Sequence, residues 1–301
     1  MSERSVAMVI NPTSGMGRGG KNAPIAANRL RERGLVVSEL IGGSAEESLA
    51  LAKAAVREGV DTVVACGGDG TVHLALQAVA GTDVPLGIIP VGTGDDNARR
   101  LHLPLKDAVK AADVIADGRT RQIDVGHVTT NDGVCEYFLG VLSVGFDSQV
   151  TERANEMTWP HGQLRYLVAT LAELRIFKPL PFSMIFDGEP CETEAMLVAV
   201  GNGMQYGGGM RVCPDAKLDD GLLDITVLGA VSKLKFVTSF PSVFKGTHMQ
   251  QPFVSQHLVK SASIDAPGQI VYADGERIGP VPATITVRPH ALRILAPVHG
   301  A

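Results

Sequence analysis

The chain has 301 residues, of which 45% are hydrophobic and 20% charged, and its formal net charge is −5. This composition is typical of a soluble globular protein with room for two domains, and it argues against disorder and against nonspecific nucleic-acid binding. All apolar runs are shorter than the ~18 residues of a spanning helix, and no signal-peptide pattern opens the chain, so we expect a cytoplasmic protein. The four cysteines lack a CxxC spacing, which argues against a zinc site or a disulfide framework.

The first part of the chain alternates short apolar strands with helices, a pattern typical of a parallel sheet covered on both faces. The predicted strands cover residues 6–10, 36–40, 63–66 and 86–90. The predicted helices are one of roughly ten residues that ends near Arg33 and those at 45–58, 72–80 and 105–117.

The glycine-rich loop after the first strand fits two nucleotide-binding patterns poorly. Gly15, Gly17 and Gly20 match GxGxxG, but four residues separate them from the strand. The Walker pattern fails because Asn22 stands where a Ser or Thr should bind Mg²⁺. The loop is either an anion-binding loop in which Arg18 clamps a phosphate or a solvated basic loop.

The turn after the third strand is the most informative stretch, with the sequence Gly67, Gly68, Asp69, Gly70, Thr71. Closely spaced glycines leave backbone N–H groups open to an anion, and the helix that follows adds its positive end. A carboxylate that faces phosphates indicates Mg²⁺ between them. The alternative is a tight strand-to-helix turn capped by Thr71.

A second acidic glycine turn, residues 92–97, follows the fourth strand. In an open α/β sheet, ligands bind at the carboxyl ends of the strands, and here three strand ends carry glycine loops. We therefore predict a phosphate-binding site at this edge of the sheet.

Beyond residue 125 short strands dominate, and Asp-Gly pairs at Asp132, Asp187 and Asp274 predict hairpin turns. This part is therefore predicted to be a mainly antiparallel β domain. Its predicted strands cover residues 122–128, 137–144, 182–186, 195–200, 222–228, 261–266 and 284–287, and two helices cover 164–176 and 233–244.

The second of these helices carries Phe236, Phe240 and Phe244 at four-residue spacing, with three lysines nearby. Pro241 should kink or end it. The aromatic stripe indicates a core-facing segment, and contact with a membrane surface is the alternative.

Several motifs, read in order, resemble the soluble bacterial diacylglycerol kinase family. NAD kinases and phosphofructokinases look similar at Gly-Gly-Asp-Gly, so it is the ordered set that is specific. The motifs are Asn11-Pro12-x-Ser14-Gly15, Gly67-Gly68-Asp69-Gly70-Thr71, Gly92-Thr93-Gly94-x-Asp96-x-Ala98-Arg99, Val144-Gly145-Phe146-Asp147, the acidic turn at 214–221, and Asp274-Gly275-Glu276.

The resemblance implies two domains with a cleft between them that holds ATP. Residues 1–125 would form an α/β nucleotide domain with a parallel sheet, to which 291–301 would return. Residues 126–290 would form an antiparallel β-sandwich that binds the lipid.

The resemblance also implies roles for individual residues. Asp274 would be the general base with Glu276 as its neighbour. A structural Mg²⁺ would be bound by the Asp220 carboxylate and the carbonyl oxygens of Lys217 and Leu222, although a solvated loop is the alternative there. The residues that would hold ATP are Asn11, Thr13, Ser14, Gly15, Gly67, Gly68, Asp69, Gly70, Thr71 and Thr93.

The expected activity is an ATP- and Mg²⁺-dependent phosphorylation of diacylglycerol to phosphatidic acid by a protein peripheral to the inner face of the membrane. The alternatives are a kinase for another lipid such as a sphingoid base, an NAD kinase, an NAD(P)-dependent oxidoreductase and a non-catalytic lipid carrier. Monomer and homodimer both remain open. The chain has Asp95 where the family usually has Asn, so this carboxylate either pairs with a cation such as Arg18 or is a tolerated surface change.

Overall fold

In the computed structural model, residues 4–157, 159 and 163–297 are described. Residues 298–301 of the predicted return segment lie outside this part, as do the side chains of 163–167 and 171. The chain forms two compact units. Unit 1 comprises Met1–Val125, Leu218–Asp220 and Arg288–Ala301, and unit 2 comprises Gly126–Lys217 and Gly221–Val287.

Unit 1 is an α/β unit whose strands are parallel and lie in the order β4-β3-β1-β2. Its fold class is the one predicted from the alternation of strands and helices. The strands are β1 (Ser5–Ile10), β2 (Val36–Leu40), β3 (Thr62–Gly67) and β4 (Leu86–Pro90). The helices are α1 (Ser14–Glu32), α2 (Ala45–Arg57), α3 (Asp69–Val79), α4 (Asp96–Arg100) and α5 (Ala108–Asp117).

The core of unit 1 explains this arrangement. Strands β3 and β4 are buried along their whole length, as expected for strands covered on both faces. Helix α1 places Ala23, Ala27 and Leu30 on one buried face, at helical spacing. The cluster that they join includes Val64 and Ile89 of the sheet, so helix and sheet share one apolar core.

The loop after β1 is shorter than predicted. The helical segment α1 already begins at Ser14, although Gly15, Met16 and Gly17 have positive φ angles and break its first turn. The regular helix therefore includes Gly20, which the sequence placed in the loop.

Unit 2 is an antiparallel β-sandwich, as predicted, with three α-helices in its described part. Strand β5 begins in unit 1, and β15 ends there beside β4. The strands are β5 (Thr120–Thr130), β6 (Cys135–Phe138), β7 (Val141–Gly145), β8 (Leu180–Phe186), β9 (Glu189–Gly201), β10 (Leu223–Gly229), β11 (Val254–Val259), β12 (Ser261–Asp265), β13 (Ile270–Ala273), β14 (Glu276–Pro280) and β15 (Ala283–Leu295). The helices are α6 (Phe146–Glu156), α7 (Gln163–Ile176) and α8 (Lys233–Ser239), and 3-10 turns cover Phe240–Lys245 and Thr247–Gln250.

Two apolar clusters stabilise unit 2. One lies inside the sandwich and contains Phe138, Phe182 and Ile264. The other includes Phe146 and Phe236, whose rings meet edge to face with their centroids 4.9 Å apart. Within the described residues, no helix combines the length and the apolar character that crossing a membrane requires.

Some expectations about unit 2 were wrong. The strand predicted at 137–144 is two strands, β6 and β7, separated by Leu139 and Gly140. The stretch Leu218–Asp220 belongs to unit 1, where the Asp124 N–H donates to the Leu218 carbonyl oxygen at 2.6 Å. Residues 288–290 also belong to unit 1, because the His290 N–H donates to the Asp124 carboxylate at 2.7 Å.

Candidate active site

Three glycine-containing loops of unit 1 meet at one edge of its sheet. The register aligns Ile10 of β1 with Cys66 of β3, and Gly67 with Pro90 of β4. The loops that follow these strands therefore begin side by side, as predicted from the carboxyl ends of parallel strands. We call the three loops, residues 11–17, 67–71 and 91–97, the glycine cradle.

Glycine is required where the loops of the cradle touch. A Cβ on Gly92 would lie only 2.5 Å from the Cα of Gly68, which no side chain tolerates. A Cβ on Gly68 would lie 3.2 Å from the Cα of Gly92 and 3.4 Å from the Ser14 Oγ. The backbones of two loops are thus in direct contact, with the Ser14 hydroxyl beside them. The backbone of Gly68 and Gly70 beside this contact is only half-buried, and its N–H groups fit the phosphates of a nucleotide.

Asn11 and Thr13 shape the first loop of the cradle. The Asn11 side-chain oxygen accepts hydrogen bonds from the Thr13 N–H at 3.1 Å and the Thr13 hydroxyl at 2.8 Å. The Ser14 N–H donates to the Asn11 carbonyl oxygen at 3.2 Å. This compact turn keeps the loop next to β3, since the Asn11 N–H also bonds the Cys66 carbonyl. Thr93 is exposed on the third loop, and Gly70 and Thr71 lie in the first turn of α3.

The Asp69 carboxylate joins the second and third loops. Its two oxygens accept the backbone N–H groups of Asp96 at 3.2 Å and Asn97 at 3.1 Å, at the start of α4. The sequence did not predict this role, because α4 is far along the chain. Each carboxylate oxygen has further lone pairs, so the arrangement also fits an Mg²⁺ ion bound together with nucleotide phosphates.

Asp95 is a buried carboxyl group of the third loop, with a left-handed backbone conformation at φ 52°. Its Oδ1 accepts the Gly92 N–H at 2.9 Å. Burial, reinforced by the nearby Asp69 charge, raises the pKa of Asp95 to about 6. The Arg18 guanidinium counteracts this only weakly, because it donates to the carbonyl oxygens of Gly15 and Gly92. Arg18 therefore fastens two loops of the cradle to each other.

Unit 2 contains the predicted base, Asp274, in a left-handed turn at φ 53° after β13. Its carboxylate accepts the Leu139 N–H at 2.8 Å and the Gly140 N–H at 2.7 Å. Its own N–H donates to the Val141 carbonyl at 3.1 Å. These bonds fix the half-buried carboxylate in place. Glu276, the predicted neighbour, is exposed at the start of β14.

Asn202 supports this arrangement and was not predicted from the sequence. It is fully buried, and its side-chain amide donates to the Leu139 carbonyl at 3.1 Å. The N–H groups of Asn202 and Gly203 donate to the Gly140 carbonyl at 3.0 and 2.8 Å. Hydrogen bonds from Asn202 and Gly203 therefore hold the turn that binds Asp274. The sequence feature that could have pointed to Asn202 is the Asn-Gly pair that it forms with Gly203 directly after an apolar strand.

The predicted ligands of a structural Mg²⁺ lie along the acidic turn. Asp220 and Lys217 are exposed, and Leu222 is half-buried. Next to them, Asp219 forms a salt bridge to Arg121 at 2.7 Å. Among the described residues, no three His, Cys, Asp or Glu side chains cluster as a metal site. A site of one carboxylate and two carbonyl oxygens is of a different kind and suits a hard cation, so these ligands stay a prediction.

Comparison with known proteins identifies relatives over nearly the whole chain. The family model of the diacylglycerol kinase catalytic domain matches residues 5–128, and that of the YegS C-terminal NAD kinase beta sandwich-like domain matches 140–296. A diacylglycerol kinase of Mycobacterium tuberculosis strain H37Rv is 46% identical, over 98% of this chain and 96% of the relative. One from Bacillus subtilis strain 168 is 29% identical, over 84% of this chain and 81% of the relative.

A solved structure agrees with these relatives. The crystal structure of a Bacillus anthracis strain Sterne protein assigned to the diacylglycerol kinases has a TM-score of 0.80 and 25% identity, and it covers 98% of this chain and 95% of its own. The resemblance predicted from the ordered motifs is confirmed, and the chain belongs to the diacylglycerol kinase family of lipid kinases.

Proposed function

We propose that the protein transfers the γ-phosphate of ATP to the free hydroxyl of diacylglycerol at the membrane surface and so forms phosphatidic acid. The observation that carries the proposal is the fixed Asp274 carboxylate, with both oxygens bonded by backbone N–H groups, in a chain whose other unit contains the glycine cradle. A carboxylate held at one position is suited to accept a proton from a bound hydroxyl.

Phosphoryl transfer depends on positioning and on stabilisation of negative charge. The cradle would hold the phosphates of ATP with backbone N–H groups and with the N-terminus of α3, whose first residue is Asp69. Bound Mg²⁺ would spread the negative charge of the phosphates.

The proposed step conserves every atom and charge. Asp274 takes the proton of the acceptor hydroxyl while that oxygen forms a bond to the γ-phosphorus. The bond between the γ-phosphorus and the bridging oxygen of ATP breaks, and ADP leaves with the electron pair. Asp274 then returns the proton to solvent.

The acceptor is the part of the proposal that the relatives support most directly. The two curated relatives named above are both named diacylglycerol kinase. NAD is a second candidate acceptor, because the matched C-terminal model is described as NAD kinase beta sandwich-like. A sphingoid base is a further lipid with a free hydroxyl.

The test is an acceptor screen with γ-labelled ATP and Mg²⁺, in which the products are separated by thin-layer chromatography. Dioleoylglycerol in mixed micelles, sphingosine in the same micelles and NAD in solution are offered separately. We expect label in phosphatidic acid at least 10-fold above the other products. Label in NADP or in a sphingoid phosphate as the main product would overturn the proposed acceptor.

A further inference from the structure

The segment around α8 carries an unusual charge. Between Asp224 and Asp265 the chain contains four lysines and no Asp or Glu, although the whole chain has a net charge of −5. Lys233, Lys235 and Lys245 lie in or directly after α8, whereas Lys260 lies beside the Asp187 carboxylate. A positively charged stretch in a chain of negative net charge indicates a surface that attracts anions.

Apolar side chains are exposed on the same segment. On α8, Leu234 is 76% exposed and Val237 is 47% exposed, while Phe236 on the other face is buried. The helix is capped by the Ser232 hydroxyl, which accepts the Lys235 N–H. Helix α8 therefore carries apolar residues on two sides: Phe236 faces the protein, and Leu234 and Val237 face solvent beside the lysines.

The aromatic stripe continues this pattern to the surface. The rings of Phe236 and Phe240 stack with their centroids 6.3 Å apart, and Phe240 meets Phe244 edge to face at 6.0 Å. Phe244 is 49% exposed. The expectation of a core-facing stripe is thus correct for Phe236 and for the half-buried Phe240, which packs against the same cluster, and wrong for Phe244.

The end of α7 adjoins this surface. The Lys233 ammonium group donates to the Arg175 carbonyl oxygen, and the next residue, Ile176, is 61% exposed. Arg175 and Lys178 are exposed and add positive charge. Glu194 of β9 lies near the start of the segment, since the Ala230 N–H donates to its carbonyl oxygen. Its single negative charge reduces the local positive charge without cancelling it.

We propose that residues 233–245, together with Ile176, dock on an anionic lipid bilayer. Leu234, Val237 and Phe244 would enter the boundary between headgroups and acyl chains, while the lysines contact anionic headgroups. The lysines favour an anionic bilayer over a protein partner, because exposed apolar residues alone would fit either of them. The inference rests on the proposed lipid kinase function and names the surface that would bring the protein to its acceptor.

The test is co-sedimentation of the full chain with vesicles, without ATP or diacylglycerol. Vesicles of phosphatidylcholine alone are compared with vesicles that contain one quarter phosphatidylglycerol. One variant carries Lys233→Glu and Lys235→Glu, and a second carries Leu234→Ser and Val237→Ser. We expect the wild type to prefer the anionic vesicles and each variant to lose on the order of 10-fold in partitioning.

Matched controls come from other exposed positions. Ile185→Ser removes an apolar side chain that is 48% exposed on β8, and Lys53→Glu reverses an exposed charge on α2. Both controls should bind vesicles like the wild type. Wild-type binding by both variants, equal losses in the controls, or equal binding to the two kinds of vesicle would overturn the proposal. Two variants of different chemistry keep the test decisive if one fails to fold.

Failure of this inference is distinguishable from failure of the proposed function. If the acceptor screen yields no lipid phosphate but the variants lose vesicle binding, the function is wrong and the docking surface stands. If phosphatidic acid forms and the variants bind vesicles normally, the function stands and the docking surface is wrong.

Discussion

Two Asp-Gly turns of unit 2 have nearly the same local geometry and different surroundings. Asp187 and Asp274 both have left-handed backbones, with φ 49° and 53°. Each carboxylate accepts two backbone N–H groups from a distant part of the chain. For Asp187 these belong to Lys260 and Ser261, at 3.0 and 2.7 Å. The Asp-Gly pair therefore encodes an anchored turn in both places, and the motif alone says nothing about catalysis.

The difference lies in what each carboxylate holds. Asp187 is exposed in the hairpin between β8 and β9, and it also accepts the Ser261 hydroxyl at 3.1 Å. Asp274 is half-buried, and the turn it holds is fixed from behind by Asn202. A general base requires such a fixed and supported position, whereas a hairpin anchor does not. Comparison of the two sites by mutation therefore separates catalytic from structural effects.

The largest expected effect is that of Asp274→Asn. The amide keeps the turn propensity and one acceptor, but it cannot take a proton, so turnover should fall ~100-fold or more. The measurement is kcat for diacylglycerol phosphorylation, with ATP binding and Tm recorded in parallel.

Asp187→Asn is the matched control, because it also places an amide opposite two backbone N–H groups. Both variants should lose similar stability, and Asp187→Asn should keep nearly all turnover. Comparable losses of kcat in the two variants would show that Asp274 is a structural anchor and that the base lies elsewhere.

Asn202→Ala should have the next largest effect. It removes the donor to the Leu139 carbonyl and loosens the turn that holds Asp274, so kcat should fall about 10-fold while the KM for ATP stays unchanged. In an Asp274→Asn background the same change should lower kcat no further, since residues that act through one another are not additive.

Thr226→Val provides the comparison for Asn202→Ala. Thr226 is equally buried in unit 2, and its hydroxyl donates to the Val212 carbonyl at 2.9 Å. We expect a similar loss of Tm without a change in kcat. A positioning role for Asn202 is ruled out if Thr226→Val lowers kcat as much, or if the effects of Asn202→Ala and Asp274→Asn simply multiply.

The sequence predicted those parts of the site that depend on local patterns. Buried strands and glycine turns are local patterns in the sequence. The turns that contain Gly68 and Gly92 were therefore predicted at the ends of β3 and β4, where the structure has them. The turn at Leu139 was missed because an apolar run through residues 137–144 is typical of one continuous strand. The turn within that run is held by Asn202, 63 residues from Leu139, and by Asp274, and no local pattern contains such contacts.

For the same reason, the sequence predicted the position of Asp69 but not its hydrogen bonds. Its place in the cradle followed from its own loop, but its bonds to the N-terminus of α4 connect residues 27 and 28 positions apart. Tertiary contacts of this kind decide whether a carboxylate is free for a ligand or already serves the fold.

Asp69→Asn should have an intermediate effect, because Asp69 also accepts two backbone N–H groups. Loss of its charge should lower kcat/KM for ATP about 5- to 10-fold and should reduce Tm as well. The measurements are ATP titrations of activity and thermal unfolding.

Asp107→Asn is the control for Asp69→Asn. Asp107 caps α5 by accepting the Lys110 N–H at 3.0 Å, and Asn caps helices about as well as Asp. Its variant should keep wild-type kinetics. If Asp69→Asn lowers Tm and leaves ATP use intact, Asp69 serves the fold alone.

The smallest expected effects concern the pH dependence of stability, where Asp95 and Asp187 should behave in opposite ways. Hydrogen bonds from the Lys260 and Ser261 N–H groups lower the pKa of Asp187 below its usual value, whereas burial raises the pKa of Asp95 to about 6. In the folded protein Asp95 therefore binds its proton more tightly than in the unfolded chain, and its favourable contribution is present at pH 4 and lost as the pH rises through 6. Relative to the wild type, Asp95→Asn should become more stable over that interval, by roughly 1–3 kcal/mol.

The contribution of Asp187 to stability changes with pH in the opposite direction. It is complete at neutral pH and is lost as the pH falls below about 4, so Asp187→Asn should be least stable relative to the wild type at neutral pH. Urea unfolding of the three proteins between pH 3.5 and 7.5 measures both trends. A stability difference between Asp95→Asn and the wild type that does not change with pH would show that Asp95 has the same pKa in the folded and the unfolded chain, so that burial does not raise it.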